Sequence, residues 1–176
     1  DVPARRPAQR KALAVFVLSF CLMGINLADL IEADLPEGDA LAYRRKKTRD
    51  RRADHAYMKI DLHPEALHFA SRLGAGKAAK WLPDMLAMSK DEERLTSRIN
   101  ASLKAWCKAE GIEPFSCYAA RKTWATLARL VADKSLVDEC LVHVGDFPLT
   151  DIYAKRPWDL MNEANRKVLD MFQWPL

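Results

Sequence analysis

From Ala12 to Met23 the chain runs almost wholly apolar, "ALAVFVLSFCLM", which predicts a buried helix from about Gln9 to Met23. Gly24 breaks it, and Asn26 is placed to cap a short second helix, "LADLIEA", with Asp29 in its first turn. From Ala40 the period changes. "ALAYRRKKT" and "AYMKIDL" read as two strands joined by the polar "RDRRAD", a hairpin with a long loop. Pro64 opens a helix, while "SRLGAGKAAKWLPDM" holds two glycines and a proline and reads as a turn or connecting segment. Its glycines do not fit a phosphate-binding loop. From Ser89 to Glu110 the positions Leu95, Ile99, Leu103 and Trp106 recur at helical spacing, and Gly111 ends the helix. Ser116 is the candidate cap of the next helix, in which Cys117, Ala120, Trp124, Leu127 and Val131 form an apolar stripe. Tyr118, Arg121 and Ala125 share the neighbouring face. A further helix is expected from Leu136 to His143, and Pro157 opens the last, "WDLMNEANRKVLDMF". The predicted class is mainly α with a small antiparallel β-sheet.

Composition narrows the function classes. With 176 residues, 49% of them hydrophobic and 30% charged, the profile is that of a soluble globular domain rather than a disordered chain. A net charge of +4 permits a polyanionic partner without requiring one. Distribution says more: "YRRKKTRDRR", from Tyr43 to Arg52, packs seven Lys or Arg into ten positions, and "ARRPAQRK" opens the chain. Runs of this kind are most often only solvated. Cys21, Cys107, Cys117 and Cys140 show no paired spacing, which points to a reduced intracellular protein. His55, His63, His68 and His143 are too scattered for a metal site. The apolar run before Gly24 is too short to span a bilayer, so no membrane is expected. A start at Asp1 without methionine, running almost directly into a helix, reads as a domain excised from something longer.

Four segments then carry a resemblance: "LMGINLADL", "YRRKKT", "YAARKTWAT" and "HVGDFPLTDIY", in this order and at these intervals. Together they resemble the catalytic domain of the tyrosine recombinases, or phage-type integrases, and in texture the variants of Bacteroides-like mobile elements. The similarity spans nearly all of residues 1–176, so the chain reads as a single catalytic domain whose N-terminal core-binding domain is absent. No one segment is specific, but four in register are much stronger. The resemblance implies the family's catalytic-domain fold, a bacterial cytoplasmic, nucleoid-associated location, double-stranded DNA as partner and a tetrameric synapse on it. In the family a tyrosine hydroxyl attacks a backbone phosphate, leaving a 3′-phosphotyrosine and a free 5′-hydroxyl. The 5′-hydroxyl of another strand then reverses the step. Phosphodiester energy is conserved, so no cofactor and no metal is implied, and cationic side chains must stabilise the non-bridging oxygens.

By that resemblance Tyr153 stands at the nucleophile's place, three residues after Thr150, and Arg121 at the arginine of the H-x-x-R box, where a guanidinium can hold two phosphate oxygens. Tyr118 replaces the box histidine: it can donate a hydrogen bond to phosphate, or simply pack. Lys122, beside the box arginine, is a DNA-backbone contact or merely exposed. Lys47 takes the place of the lysine that protonates the departing 5′-oxygen. Strand alternation would put it and the adjacent Lys46 on opposite faces. His143 lies ten residues before Tyr153, one more than the usual interval, so it is the third-box histidine after a one-residue insertion, or else Val144 holds that place. Asn26 is the clearest departure, since the family's first arginine belongs there, and Asp29 matches the acid of the same box. Arg44, Arg45 or Lys122 are the candidates for supplying the missing charge, and Arg44, Arg45 and Lys46 for contacting DNA. The rival class is a DNA-binding or regulatory protein that keeps the fold without turnover. A helical protein-interaction domain is a third reading, which leaves the four segments as coincidence.

Overall fold

A computed structural model of the chain describes residues 6–33, 38–52, 54–73, 91–142 and 156–175. Helix α1 (Pro7–Cys21) starts at a proline, whose missing amide costs nothing in a first turn, and Gln9 Oε1 accepts from the Arg6 amide at 3.1 Å. Because its apolar residues are not confined to one stripe, α1 buries Ala12, Val15, Leu18 and Cys21 against three helices at once. These are α3 (Pro64–Ser71), α4 (Glu92–Glu110) and α5 (Ala119–Ala128). Beyond α1 the chain turns sharply through Gly24 at φ +65°, and Ser19 Oγ donates to the Ile25 carbonyl at 2.6 Å to hold the turn. Helix α2 (Leu27–Glu32) follows, with Asn26 at its cap position. The Asn26 side chain bonds Asp29 instead of a helix amide.

Two antiparallel strands, β1 (Ala40–Arg44) and β2 (Tyr57–Asp61), pair Leu41 with Ile60 and Tyr43 with Met58. Alternation buries Leu41, Met58 and Ile60. The strands are shorter than the sequence pattern predicts. After the Arg45 amide bonds the Ala56 carbonyl at 3.1 Å, the Lys46 amide turns to the Asp29 carboxylate at 2.8 Å, and the Thr48 and Arg49 amides fold back on the Arg45 carbonyl. A 3₁₀ turn, Arg49–Arg51, follows. Lys46 and Lys47 consequently lie in a turn, and strand alternation does not set where they point.

Asp91 caps α4 by accepting from the Arg94 amide at 2.8 Å, and Gly111, at φ +69°, ends it in the left-handed conformation that glycine adopts without strain. Helix α5 begins later than Ser116, with Tyr118 at the cap position, because the Ser116 and Cys117 carbonyls close a tight turn onto the Ala119 and Ala120 amides. Helix α6 (Lys134–Cys140) is capped by Asp133 and stops short of His143. Helix α7 (Trp158–Leu169) lies across α5, α6 and β2. Its buried Asn165 accepts from Trp124 Nε1 at 2.8 Å and donates to the Cys21 carbonyl at 3.0 Å, so three helices share one amide. All these helices and strands contribute to one main core, and Trp106 and Cys107 of α4 form a second, small cluster with Leu13 and Phe115. All four cysteines are buried and free, and burial pushes the thiols of Cys21, Cys117 and Cys140 up to about 12.

Arg166 on α7 clasps both carboxylate oxygens of the buried Glu65 on α3, at 3.0 and 2.8 Å. That hydrogen bonding holds the Glu65 carboxyl below its ordinary value of 4.5, against the upward push of burial. A pKa lower in the folded than in the unfolded chain gives stability that is complete above the unfolded value and lost as pH falls through the folded one. Urea denaturation across a pH series should therefore show stability falling below about pH 4.5 in the wild type. In Glu65→Gln that slope should be shallower. An unchanged slope would place the acid sensitivity elsewhere.

Candidate functional site

Arg121 follows the fully buried Ala120 on α5 and is itself only 5% exposed. It is enclosed because the turn after α1 presses directly on its backbone. A Cβ built on Gly24 would lie 2.5 Å from the Arg121 Cα, so no other residue fits there without displacing main chain. The guanidinium then reaches two carbonyls: Nη1 donates to Gly24 at 3.0 Å, and Nη2 donates to Leu141, just beyond the end of α6. Cations at a helix C-terminus meet carbonyls that have no partner within the helix, which favours this placement.

A second guanidinium comes to the same place from the hairpin. Arg45 is 7% exposed, and its Nη1 donates to the carbonyls of Leu141 and Val142, each at 2.8 Å. Leu141 thus accepts from both arginines. Val142 sits at φ +51°, unusual for a β-branched residue, with its carbonyl held by Arg45 and its side chain in the core. Arg45 Nε and the hydroxyl of Thr48 are buried with no hydrogen-bond partner among the described residues.

The acid of this cluster is Asp29, 3% exposed. Burial raises its pKa, opposed by the Lys46 amide, the charges of Arg45 and Arg121, and a hydrogen bond from Asn26. Burial also depresses Arg121, and the neighbouring Arg45 charge depresses it further, but a guanidinium stays protonated. Tyr43 is pushed well up by burial and by Asp29, so its phenol remains neutral.

On the open side of Arg121 is a cleft of about 530 Å³. Asn26 and Tyr118 line it together with Arg121, with Ser97, Asn100 and Ser116 along the wall and Glu92 and Glu93 at one side. Tyr118 is 55% exposed, and the Lys122 ammonium stands 5.6 Å from the centre of its ring. The structure therefore brings Asn26, Tyr118 and Arg121 together, with Lys122 beside them and Arg45 behind.

The other basic residues separate. Lys46 is held by Glu32 at 2.6 Å and Glu92 at 2.9 Å, while Lys47 is exposed and has no partner among the described residues. Arg44 lies over the Tyr57 ring and lines a second cleft of about 610 Å³ with Arg49 and Lys59. Arg45 is thus buried and Lys46 is exposed but held by two carboxylates, while Arg44 and Lys47 are exposed. His143 and Tyr153 lie outside the described residues. Among those described, no group of three or more His, Cys, Asp or Glu is placed to hold a metal ion, and no helix is long and apolar enough to cross a membrane.

Comparison with known proteins gives no match to a family model, a curated protein or a solved structure. The arrangement of side chains carries the functional reading.

Sequence reasoning missed Arg156. Its Nε and Nη2 bond the Glu139 carboxylate at 2.9 and 2.8 Å, Nη2 also donates to the Glu139 carbonyl, and Nη1 donates to the Tyr57 carbonyl. Arg52 and Asp54 complete this ion cluster. Only the adjacent Pro157 marked the position, as a helix start, and nothing in the local pattern names Glu139 as its partner.

Gly24→Ala should destabilise the protein by roughly 2–5 kcal/mol, combining left-handed strain with a clash against main chain. Thermal or urea melts would measure this. A melt within experimental error of wild type would mean that the turn can retreat from Arg121, and the enclosure of the site would lose its stated cause.

Proposed function

We propose that this protein cuts and rejoins double-stranded DNA through a covalent 3′-phosphotyrosine formed by Tyr153, with the catalytic-domain fold of the tyrosine recombinases. The observation that carries the reading is the meeting of separate segments at Arg121. Gly24 belongs to the first segment of the resemblance, Arg45 to the second and Arg121 to the third, and Leu141, which accepts from both arginines, closely precedes the fourth. Chance matches scattered over a chain have no reason to bond one another across 97 residues, as Arg121 and Gly24 do, or to share the Leu141 carbonyl, as Arg45 and Arg121 do.

The roles follow from the chemistry. Arg121, at the floor of the cleft, holds a non-bridging phosphate oxygen and stabilises the charge that grows as the tyrosine oxygen bonds phosphorus. Tyr118 and Asn26 are neutral donors at the same cleft. Lys47, an exposed ammonium on the turn, gives its proton to the departing 5′-oxygen. As the P–O bond to the 5′-carbon breaks, the phosphate passes to Tyr153, and attack by a 5′-hydroxyl returns it. His143 acts in proton transfer at the same phosphate. Arg156, three positions after Tyr153 in the sequence, is bonded to Glu139, two positions before Leu141. DNA lies over Arg44, Lys47 and Lys122, and protomers assemble on it as a tetramer.

One observation favours the second reading, a DNA-binding or regulatory protein with impaired turnover: Asn26 lines the cleft without a charge where the family carries arginine. Covalent trapping on nicked duplex separates the two. Tyr153→Phe removes a single oxygen, a loss of about 1 kcal/mol if the residue is structural. The full-length variant should fold, bind DNA with near-normal affinity and give no adduct, and Arg121→Ala should lose most cleavage. Wild-type levels of adduct from Tyr153→Phe would remove the nucleophile assignment. No adduct from the wild type on its own site would favour the regulatory reading.

Phosphate contacts from the hairpin release counterions, so affinity for duplex should fall steeply with salt. Charge reversal at Arg44 and Lys47 together should flatten the plot of log affinity against log salt by about two phosphate contacts. An unchanged slope would return the hairpin to solvent.

A further inference from the structure

Two guanidiniums and one carboxylate are enclosed together here: Arg45 and Arg121, at 7% and 5% exposure, with Asp29 at 3%. The acid does not balance them, since it carries one charge against two. The remaining contacts of the pair are main-chain carbonyls, which offer dipoles but no charge. Arg45 Nε has no acceptor at all among the described residues. Enclosed positive charge without a counterion is costly, and the cost falls if an anion can approach. The cleft of about 530 Å³ allows that approach: Arg121 lines it, while Arg45 stands behind Arg121, joined to it through the Leu141 carbonyl.

We infer that Arg45 supplies the second positive charge of an oxyanion site centred on Arg121, the charge that Asn26 does not carry. Of the three cations that the sequence offers for this task, the other two are exposed and not enclosed with Arg121. Arg44 lies over Tyr57 at the second cleft, and the exposed Lys122 lies over Tyr118. Arg45 is a positioning residue: it holds the carbonyl that orients Arg121 and raises the positive potential at the cleft floor without touching the ligand. The ligand class is a tetrahedral oxyanion of the phosphate type, able to accept from the Arg121 guanidinium, the Tyr118 hydroxyl and the Asn26 amide. The charge arrangement stands independently of the strand-transfer reading, which supplies only the identity of the anion as a DNA phosphodiester.

The test uses the full chain and inorganic phosphate as probe. Thermal unfolding is followed as phosphate is raised through the low millimolar range, with ionic strength matched by chloride, and the shift in midpoint gives an apparent affinity. Wild type should be stabilised by phosphate and not by chloride. Arg45→Lys, which keeps the charge and loses the fork, should bind within about threefold of wild type, and Arg45→Gln at least about tenfold more weakly. Asn26→Arg should restore phosphate binding to Arg45→Gln, a rescue that a purely structural role for Arg45 does not allow. Equal phosphate affinity in the Gln and Lys variants would overturn the inference, and so would a wild type that phosphate does not stabilise beyond chloride, a measurement that holds even if both variants fail to fold. Phosphate protection that depends on Arg45, in a protein that forms no DNA adduct, would remove the strand-transfer reading and leave the charge pair standing.

Discussion

The architecture depends on one close approach, that of Gly24 to the backbone of Arg121. With a Cβ position 2.5 Å from the Arg121 Cα, the turn after α1 and the first turn of α5 are in backbone contact. From this follow the burial of Arg121, its bond to the Gly24 carbonyl and the direction in which its second nitrogen reaches Leu141. An arginine on an ordinary helix face would be solvated and mobile. Here its reach is fixed by two carbonyls from distant segments.

The carbonyl of Leu141 makes the second junction. It accepts from Arg121 and Arg45, and so ties the hairpin to α5 at the end of α6. The strained Val142 is tolerated there because its carbonyl is bonded and its side chain is in the core. The hairpin turn is fastened outside the cluster by Lys46, which bridges Glu32 and Glu92. Those partners are partly exposed, so that bridge steers the turn more than it stabilises the fold. The buried Arg45 contacts are the stronger constraint, since removing them would leave the Val142 carbonyl unpaired and Leu141 with Arg121 alone.

Helix α7 closes the structure by serving polar groups that the other elements bury. Asn165 joins Trp124 to the end of α1, Asn162 accepts from the Asp61 amide, and Arg166 neutralises Glu65. Ahead of it, Arg156 binds the end of α6 to β2. Each is a case in which a polar group is tolerated in or near the core because a partner from a distant segment satisfies it.

Much of the secondary structure was legible because hydrophobic period and cap chemistry are local. The apolar run gave α1, the spacing of Leu95, Ile99, Leu103 and Trp106 gave α4, Gly111 gave its end, and Pro157 marked the start of α7. Boundaries failed where a distant group competed for the backbone. The Asp29 carboxylate took the Lys46 amide and ended β1 early, so the face that Lys46 and Lys47 present was not a matter of alternation. At the site, the sequence marked Asn26, Tyr118 and Arg121 as chemistry-bearing residues, but only tertiary structure put them on one cleft. Nor did local pattern distinguish Arg44 from Arg45: adjacent arginines in one basic run read alike, and one is exposed over a tyrosine while the other is buried on Leu141. The sequence by itself determined where helices and strands form, since that depends on neighbours a few positions away. Tertiary structure alone decided which charges are enclosed, because enclosure depends on segments nearly a hundred residues apart meeting at Gly24, Arg121 and Leu141.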